Sequence, residues 1–394
     1  MTIAEGLAPR SQQPFRTEGL LQRARIGDVE LESGAVLPDV ELAYETWGTL
    51  DDDASNAVLV PHALTGDTHV TRGRVADDAT SFDRVSAEAP GWWDGLVGPG
   101  RAIDTDRFFV VSINMLGGCY GSTGPSSIIP EGRDGAGLPW GSAFPSVTIR
   151  DSVRAEARLA EQLGIGSWRL VIGGSMGGAR ALEWAATLPE AVRACAVIAA
   201  TAVASAEQLA WGQAQDIAIR TDPDFRGGDY YDGVIPSAGL GLARRIAHTT
   251  YRAAPDLNAR FGHAAQPGED PGPAAPGRRR GRYAIESYLD HQAAKLVGRF
   301  DANSYLVLNE ALMGHDVGRG RGGVHEALAA ATCRWLVASV DSDRLYLPEE
   351  SEQLARLLPG EVPHRSIVSP AGHDGFLIEH EQIGRLVRET LLRD

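Results

Sequence analysis

The stretch that most constrains this chain is a short apolar run followed by two glycine pairs around a serine. It reads Leu-Val-Ile-Gly-Gly-Ser-Met-Gly-Gly over residues 170–178, and strong helix formers follow over residues 179–186. Gly173 and Gly177 frame Ser175 in the G-x-S-x-G spacing of a nucleophile elbow. Such a turn strains the serine backbone and brings strand and helix so close that a Cβ at either flank would clash. The stretch predicts a strand, a turn that exposes the Ser175 hydroxyl and a helix. The alternative is a glycine-rich helix start in which the serine is only a cap.

Composition and charge describe a soluble globular protein with an acidic balance. The 394 residues carry a formal net charge of −15, which argues against nucleic acid or an anionic membrane as the main partner. The three cysteines make no disulfide framework and fit a reducing compartment. The N-terminus lacks the basic and apolar segments of a signal peptide, and the most apolar window, residues 194–206, is too short to span a bilayer. We therefore expect a cytoplasmic protein.

The order of apolar and helical stretches predicts a mostly parallel α/β sheet interrupted by a helical insert. Short apolar strands alternate with helical stretches on both sides of residues 202–323, a region without a convincing buried strand. The predicted strands lie at residues 26–32, 39–46, 57–60, 108–112, 170–174, 194–200, 334–340 and 364–368. The predicted helices lie at residues 148–163, 206–220, 239–250, 285–299, 303–313, 325–332, 349–358 and 382–392. Residues 266–281 form a loop dense in Pro, Gly and Arg.

This plan predicts an α/β-hydrolase fold with a lid. The predicted parts are a loose tail over residues 1–15, a core domain over 16–201 and 324–394, and a helical lid domain over 202–323. In that fold the nucleophile is followed by an acid after a later strand and by a histidine near the C-terminus. The spacing of strands therefore directs the search for the acid and the base to the last third of the chain.

Two aspartates and one histidine occupy the positions that such a catalytic triad requires. Asp341 and Asp343 both follow the strand at residues 334–340, and His373 lies in the loop after the last predicted strand. Either aspartate could instead be a helix cap or a turn residue, and His373 could be an exposed loop histidine. The residues alone leave open which aspartate is the acid.

An oxyanion hole requires two N–H donors aimed at the developing alkoxide. The sequence predicts Met176 N–H, directly after the nucleophile, and Leu64 N–H, in the loop after an early strand. No metal-binding motif is present, so we expect no metal and no tightly bound cofactor. The remaining histidines near these regions are expected to be structural, namely His62, His69, His248, His291, His315 and His325.

Long motifs throughout the chain are similar to those of one enzyme family. They lie at residues 62–67, 92–94, 114–127, 144–151, 173–178, 181–184, 300–305, 342–346 and 372–377. On these motifs the chain, from about Phe15 to Leu392, resembles the homoserine O-acetyltransferases of methionine biosynthesis. The resemblance implies a ping-pong acyltransferase that uses acetyl-CoA as a co-substrate.

The resemblance also implies roles for individual residues. Ser175 would be the nucleophile, Asp343 the acid of the triad and His373 the general base. Arg244 and Asp374 would hold the amino-acid substrate, and their charges suit the carboxylate and the ammonium group of homoserine.

Some of these assignments have alternatives in the sequence. Arg245 is adjacent to Arg244, and a shift of one residue would exchange their roles. The family implies a homodimer joined through lid helices, and the loop at residues 268–281 departs from it in length. The alternatives are a homoserine O-succinyltransferase, a serine O-acetyltransferase, a carboxylic-ester hydrolase, or an inactive binding module of the same fold.

Overall fold

The computed structural model describes residues 18–75, 77, 84 and 87–392. The tail predicted over residues 1–15 lies outside them. The strands, in chain order, are β1 (Gln22–Glu30), β2 (Val36–Trp47), β3 (Ala57–Leu59), β4 (Val97–Gly98), β5 (Ile103–Asp104), β6 (Phe109–Ile113), β7 (Leu170–Gly174), β8 (Ala194–Ile198), β9 (Arg334–Val340) and β10 (His364–Ile367).

Eight of these strands form one mostly parallel sheet, which confirms the predicted fold class. The order across the sheet is β1-β2-β6-β3-β7-β8-β9-β10, and only the pairs β1–β2 and β2–β6 are antiparallel. Alternate residues face opposite sides, as a pleated strand requires: Leu170 and Ile172 join one buried cluster, whereas Val171 joins another. The sheet is therefore covered by a hydrophobic core on both faces.

Helices flank the sheet and fill the interval between β8 and β9. They are α1 (Ile149–Gln162), α2 (Met176–Thr187), α3 (Ala206–Arg220), α4 (Ser237–Tyr251), α5 (Ala254–Arg260), α6 (Ala284–Val297), α7 (Ala302–Met313), α8 (Val324–Leu328), α9 (Pro348–Leu357), α10 (Gly375–Ile378) and α11 (His380–Thr390). None of the described helices has the length and apolar content needed to cross a bilayer.

One predicted helix is shorter than expected, and helix α5 was not predicted. The helix expected over residues 325–332 ends at Leu328, because the chain must turn before it enters β9 at Arg334. The helix α5 was missed because Pro255 reads as a helix breaker. At the first turn of a helix, however, proline removes no intrahelical hydrogen bond.

Helices α3 to α7 pack over the carboxyl edge of the sheet. A third buried cluster joins Leu64, Met115 and Met176 from the core to apolar residues of these helices, including Leu240 and Tyr305. The loop at residues 266–281 is closed at its base by pairing between Ala265 and Tyr283. The proposed domain boundaries remain a prediction, but the packing places the helical insert directly above Ser175.

Candidate active site

Ser175 occupies a strained turn between β7 and α2. Its φ and ψ are 57° and −128°, a conformation that L-residues rarely adopt and that costs of order 1–3 kcal/mol. A Cβ added at Gly173 would overlap the Gly177 carbonyl group, and one added at Gly177 would overlap the Pro61 carbonyl oxygen. Both flanking positions therefore require glycine, for the steric reason that the sequence suggested.

The structure brings Ser175, His373 and Asp343 into one hydrogen-bonded chain. The distance from Ser175 Oγ to His373 Nε2 is 2.8 Å, and His373 Nδ1 lies 2.6 Å from Asp343 Oδ2. The three side chains follow β7, β10 and β9, so the carboxyl edge of the sheet supplies all of them. All three residues are buried, which keeps competing water away from these contacts.

The two candidate aspartates have different surroundings. Asp343 Oδ1 accepts the backbone N–H groups of Leu345 and Tyr346 at 2.8 and 3.0 Å, which directs Oδ2 toward His373. Asp341 Oδ1 instead accepts the Ser369 N–H at 2.9 Å. Asp343 is thus the aspartate that orients the histidine, while Asp341 links the ends of β9 and β10.

The two predicted oxyanion donors lie beside the nucleophile. Met176 begins α2, and Leu64 lines both cavities that contain Ser175. Within the described ranges, no protein acceptor takes the N–H of either residue. Their roles as donors stay a prediction, but both groups are free to bind a developing negative charge.

His62 fixes the peptide that carries the Leu64 N–H. Its Nε2 accepts the Met115 N–H at 3.0 Å, so its proton lies on Nδ1, which donates to the Ala63 carbonyl oxygen at 2.8 Å. Burial and the nearby charge of Arg180 lower the pKa of His62 to about 3, which keeps the ring neutral. In a trans peptide the C=O and N–H point in opposite directions, so this contact turns the Leu64 N–H away from His62.

One cavity beside Ser175 has a volume of about 180 Å³ and is lined in part by charged side chains. Arg244 and Asp374 line it together with His373. Arg244 Nη1 donates to Thr65 Oγ1 at 3.2 Å, and its buried Nε has no hydrogen-bond partner among the residues described. We name this space the charged cavity.

Arg245, the alternative to Arg244, faces away from this cavity. Its Nη2 lies 2.8 Å from Asp290 Oδ1, on the outer side of the insert. The geometry therefore separates the two neighbouring arginines that the sequence could not distinguish.

Asp374 has a partner that the sequence did not indicate. Arg252 Nη1 lies 3.2 Å from Asp374 Oδ2, and the same guanidinium pairs with Asp256. Burial raises the pKa of Asp374, although the charges of His373 and Arg252 oppose that shift. Sequence reasoning missed Arg252 because no motif marks it.

Aromatic side chains around the triad were missed for the same reason. Tyr346 stacks on the His373 ring with centroids 5.1 Å apart, and Tyr251 lies 5.8 Å from it. Arg299, which lines the charged cavity, donates to the Thr65 carbonyl oxygen at 2.9 Å. Of these three residues, only Tyr346 carried a signal, because it lies within the motif at residues 342–346.

A second cavity touches Ser175 on its other side. It lies between α3, α7 and the loop at residues 345–346, and none of the described residues that line it is charged. Its lining comprises Leu64, Ser175, Ala204, Gln208, Trp211, Gly212, Gln215, Tyr251, Asn309, Leu312, Met313, Leu345 and Tyr346. We name this space the neutral cavity.

The fold places the chain in a large class of enzymes. Residues 56–380 match the family model described as the alpha/beta hydrolase fold. Across the described residues, no group of three or more side chains is arranged to hold a metal ion. The class is therefore that of the α/β hydrolases.

Relatives at higher identity define the family more narrowly. The chain is 55% identical over 363 residues to a homoserine O-acetyltransferase of Thermobifida fusca, covering 92% of this chain and 90% of the relative. It is 50% identical over 375 residues to that of Nocardia farcinica, covering 95% and 93%. The chain belongs to the homoserine O-acetyltransferase family, which confirms the predicted resemblance.

Solved structures of similar shape include both transferases and hydrolases. A homoserine O-acetyltransferase from Bacillus anthracis is 25% identical, with a TM-score of 0.83 and coverage of 95% of this chain and 98% of that chain. An acetylester hydrolase from Corynebacterium glutamicum is 26% identical, with a TM-score of 0.76 and coverage of 95% and 97%. The shape alone therefore does not separate transfer from hydrolysis.

Proposed function

We propose that this enzyme transfers an acetyl group from acetyl-CoA to the hydroxyl of L-homoserine, a step of methionine biosynthesis. The observation that carries the proposal is the charged cavity, where Arg244 and Asp374 lie beside the Ser175–His373 pair. An amino acid presents one carboxylate and one ammonium group, which this pair of opposite charges complements. An ordinary ester substrate offers neither charge.

The first half-reaction acylates the enzyme. His373 Nε2 takes the proton of Ser175 Oγ as that oxygen attacks the thioester carbonyl carbon of acetyl-CoA. The N–H groups of Leu64 and Met176 bind the oxyanion, each worth about 3–4 kcal/mol in the transition state. The C–S bond then breaks, the proton passes from His373 to the sulfur, and coenzyme A leaves acetyl-Ser175 behind.

The second half-reaction transfers the acetyl group. The carboxylate of homoserine binds Arg244 and its ammonium group binds Asp374, which directs the hydroxyl toward His373. His373 removes the hydroxyl proton, the oxygen attacks the acetyl carbonyl carbon, and the bond to Ser175 Oγ breaks as that oxygen regains the proton. This sequence is ping-pong covalent catalysis. Helices α3 to α7 would act as the lid that limits access of water to the acyl-enzyme.

Release of free thiol from acetyl-CoA, measured with and without L-homoserine, tests the proposal. We expect fast release only in the presence of homoserine, and none from Ser175→Ala, whose fold is checked by circular dichroism. Release that is equally fast without homoserine would make water the acceptor. That outcome would favour the carboxylic-ester hydrolase alternative, and the Corynebacterium neighbour is named an acetylester hydrolase.

We also propose that the enzyme is a cytoplasmic homodimer joined through the insert. Large apolar side chains are exposed on α3, α4 and the segment between them, including Ile217 at 49%, Val234 at 64% and Leu242 at 48% exposure. Apolar side chains concentrated on one part of a surface mark association sites more often than scattered ones do.

A further inference from the structure

The two cavities at Ser175 differ in one catalytic respect. Ser175, Leu64 and Tyr251 line both of them, but His373 lines only the charged cavity. Both cavities therefore reach the nucleophile and one oxyanion donor, whereas only the charged cavity reaches the general base. The reacting carbonyl group must lie at the junction of the two spaces.

The position of His373 determines which cavity receives the leaving and attacking heteroatoms and which receives the acyl chain. The leaving sulfur must receive a proton from His373, and the attacking hydroxyl must give its proton to the same nitrogen. Both heteroatoms must therefore approach from the charged cavity. Because the oxyanion takes a separate direction, toward the N–H donors, the remaining substituent of the carbonyl carbon points toward the neutral cavity. That substituent is the acyl chain.

The polar groups of the neutral cavity already have partners inside the protein. Gln208 Nε2 donates to the Leu345 carbonyl oxygen at 3.0 Å. Gln215 Oε1 accepts the Tyr305 hydroxyl, and Asn309 Nδ2 donates to Asp216 Oδ1 at 2.7 Å. These amides therefore have little capacity left to solvate a charged ligand. A carboxylate placed here would lose its water without gaining a cation.

The size of the neutral cavity exceeds what an acetyl methyl requires. Its volume is about 40 Å³, and a space of roughly 10–15 Å³ on this measure holds one water molecule. A methyl group occupies about as much space as one water, so room for about two further groups of that size remains. Gly212 and Met313 lie opposite each other in its wall, since a Cβ on Gly212 would overlap the Met313 side chain.

We infer that the neutral cavity is the acyl pocket, and that it accepts short uncharged acyl groups up to butyryl while it rejects succinyl. This inference rests on the proposed function for the identity of the donor, but not for the existence of the pocket. Donor specificity then has a physical origin in Gly212, Met313 and the paired amides of α3 and α7. The acceptor side plays no part in it.

The acyl preference can be measured without homoserine. Nitrophenyl acetate, propionate and butyrate each acylate Ser175 with release of nitrophenolate, and water then hydrolyses the acyl-enzyme. We expect kcat/KM values within about 10-fold of each other for these three esters, because the pocket has room for all three acyl chains. A chain too long for the pocket should lose about 10–200-fold in kcat/KM for each methylene that does not fit. With homoserine present, succinyl-CoA should be at least about 100-fold poorer than acetyl-CoA, because its carboxylate would be buried unpaired.

Two substitutions in the pocket wall should shift the preference in opposite directions. Met313→Ala enlarges the pocket and should improve the longer hexanoate ester relative to acetate by about 10-fold. Gly212→Ala pushes Met313 inward and should worsen butyrate relative to acetate by about 10-fold. Val307→Ala is the matched control, because Val307 lies on the same helix but packs toward Gly117. This variant should leave the ratio of kcat/KM for butyrate to that for acetate unchanged.

Each result decides a separate question. Equal use of succinyl-CoA and acetyl-CoA, or a preference among the esters that neither pocket substitution moves, would overturn the acyl-pocket assignment. Absence of acetyl transfer to homoserine together with the expected ester profile would overturn the proposed function and keep the pocket. If Met313→Ala fails to fold, Gly212→Ala and the wild-type ester series still decide.

Discussion

At the level of single residues, a buried histidine that lines neither cavity holds the loop that carries Leu64. His62 holds the Ala63 carbonyl oxygen through Nδ1, and the Gly66 N–H binds that oxygen as well at 2.9 Å. The Ala63–Leu64 peptide is therefore clamped by its carbonyl end, and the free N–H is directed by that clamp. We propose that His62 positions the Leu64 N–H for the predicted oxyanion site.

Replacing His62 should lower kcat more than it changes KM. We expect His62→Ala to lower kcat by about 100-fold. Removal of one oxyanion donor lowers kcat by about 10²–10³-fold, and here the donor is misplaced but not removed. His62→Asn can still donate to the Ala63 carbonyl oxygen and should recover part of that loss. Steady-state kinetics with both substrates give the kcat and KM values.

A second buried histidine supplies the control for this experiment. His315 is also buried, and its Nε2 contacts the Thr201 carbonyl oxygen outside the active site. His315→Asn should affect stability without lowering kcat. An equal loss of kcat in both variants would show that His62 contributes only to packing.

The two aspartates after β9 should respond differently to the same substitution. Asp343→Asn removes the charge that orients and stabilises the His373 imidazolium, and we expect kcat to fall by about 10⁴-fold. Asp341→Asn keeps an acceptor for the Ser369 N–H and should change kcat by only a few-fold. Initial-rate assays of thiol release compare them, and the reverse order would move the acid to Asp341.

Residue patterns indicated the positions of the hydrogen-bonded Ser175 and His373 better than the other residues that surround them. Ser175 and His373 follow from the elbow spacing and the strand order, because a parallel sheet gathers loop residues at one edge. Asp341 and Asp343 could not be separated, since both lie just past the same strand. Arg252 and Tyr251 reach the site from the insert, where no motif relates sequence position to spatial position.

At the level of elements, the loop that carries Leu64 is tied to the sheet by a partly buried ion pair. His69 Nδ1 lies 2.6 Å from Glu45 Oε2 on β2, and His69 Nε2 contacts the Ala89 carbonyl oxygen at 2.9 Å. Burial opposes the charged ring, but the hydrogen bond and charge of Glu45 outweigh it and raise the pKa of His69 to about 9. The loop is therefore anchored most firmly when His69 is protonated.

This pair predicts a pH-dependent part of the stability. Because the folded-state pKa is above the ordinary value of about 6.5, the contribution is complete below pH 6.5 and is lost as the pH rises through about 9. We expect a loss on the order of 2 kcal/mol in the free energy of unfolding between pH 6.5 and 9.5. Urea unfolding at several pH values measures it.

The variant His69→Gln tests whether this histidine is responsible. It should be less stable than the parent protein at pH 6.5, and its free energy of unfolding should decline less between pH 6.5 and 9.5. An identical decline in both proteins would assign the pH dependence to other groups.

Element boundaries were predicted best where local chemistry fixes them. The helix over residues 206–220 has the predicted limits, and its start is fixed by the Gln208 side chain, which accepts the Ser205 N–H at 3.0 Å. The short pair β4–β5 was missed, since two-residue strands carry no periodicity. The two strands pair across the turn at residues 99–102, and composition does not predict that pairing.

At the level of the whole molecule, the exposed apolar side chains of the insert predict self-association. Ile217→Asp together with Leu242→Asp should shift the protein from dimer to monomer, because a charge in an apolar interface is buried without a partner. Sedimentation velocity measures the change. Val368→Asp, at an apolar position with 65% exposure on the core, is the control and should leave the mass unchanged.

The overall plan of core and insert could be predicted because the sheet resumes after the insert with the same strand–helix alternation. The arrangement of helices α3 to α7 over the sheet could not. Their apolar residues face partners from distant parts of the chain, such as Met115 and Leu64, and only tertiary packing selects those partners.

Arg244 and Asp374, which carry opposite charges in the charged cavity, belong to different parts of the chain. Arg244 lies on α4 of the insert, and Asp374 follows β10 of the sheet. An acceptor bound to both is a reversible cross-link between them, so its binding free energy adds to the stability of their contact. The enzyme should therefore be most resistant to heat and proteolysis when its amino-acid substrate is abundant, which couples its lifetime to the supply of the metabolite it consumes.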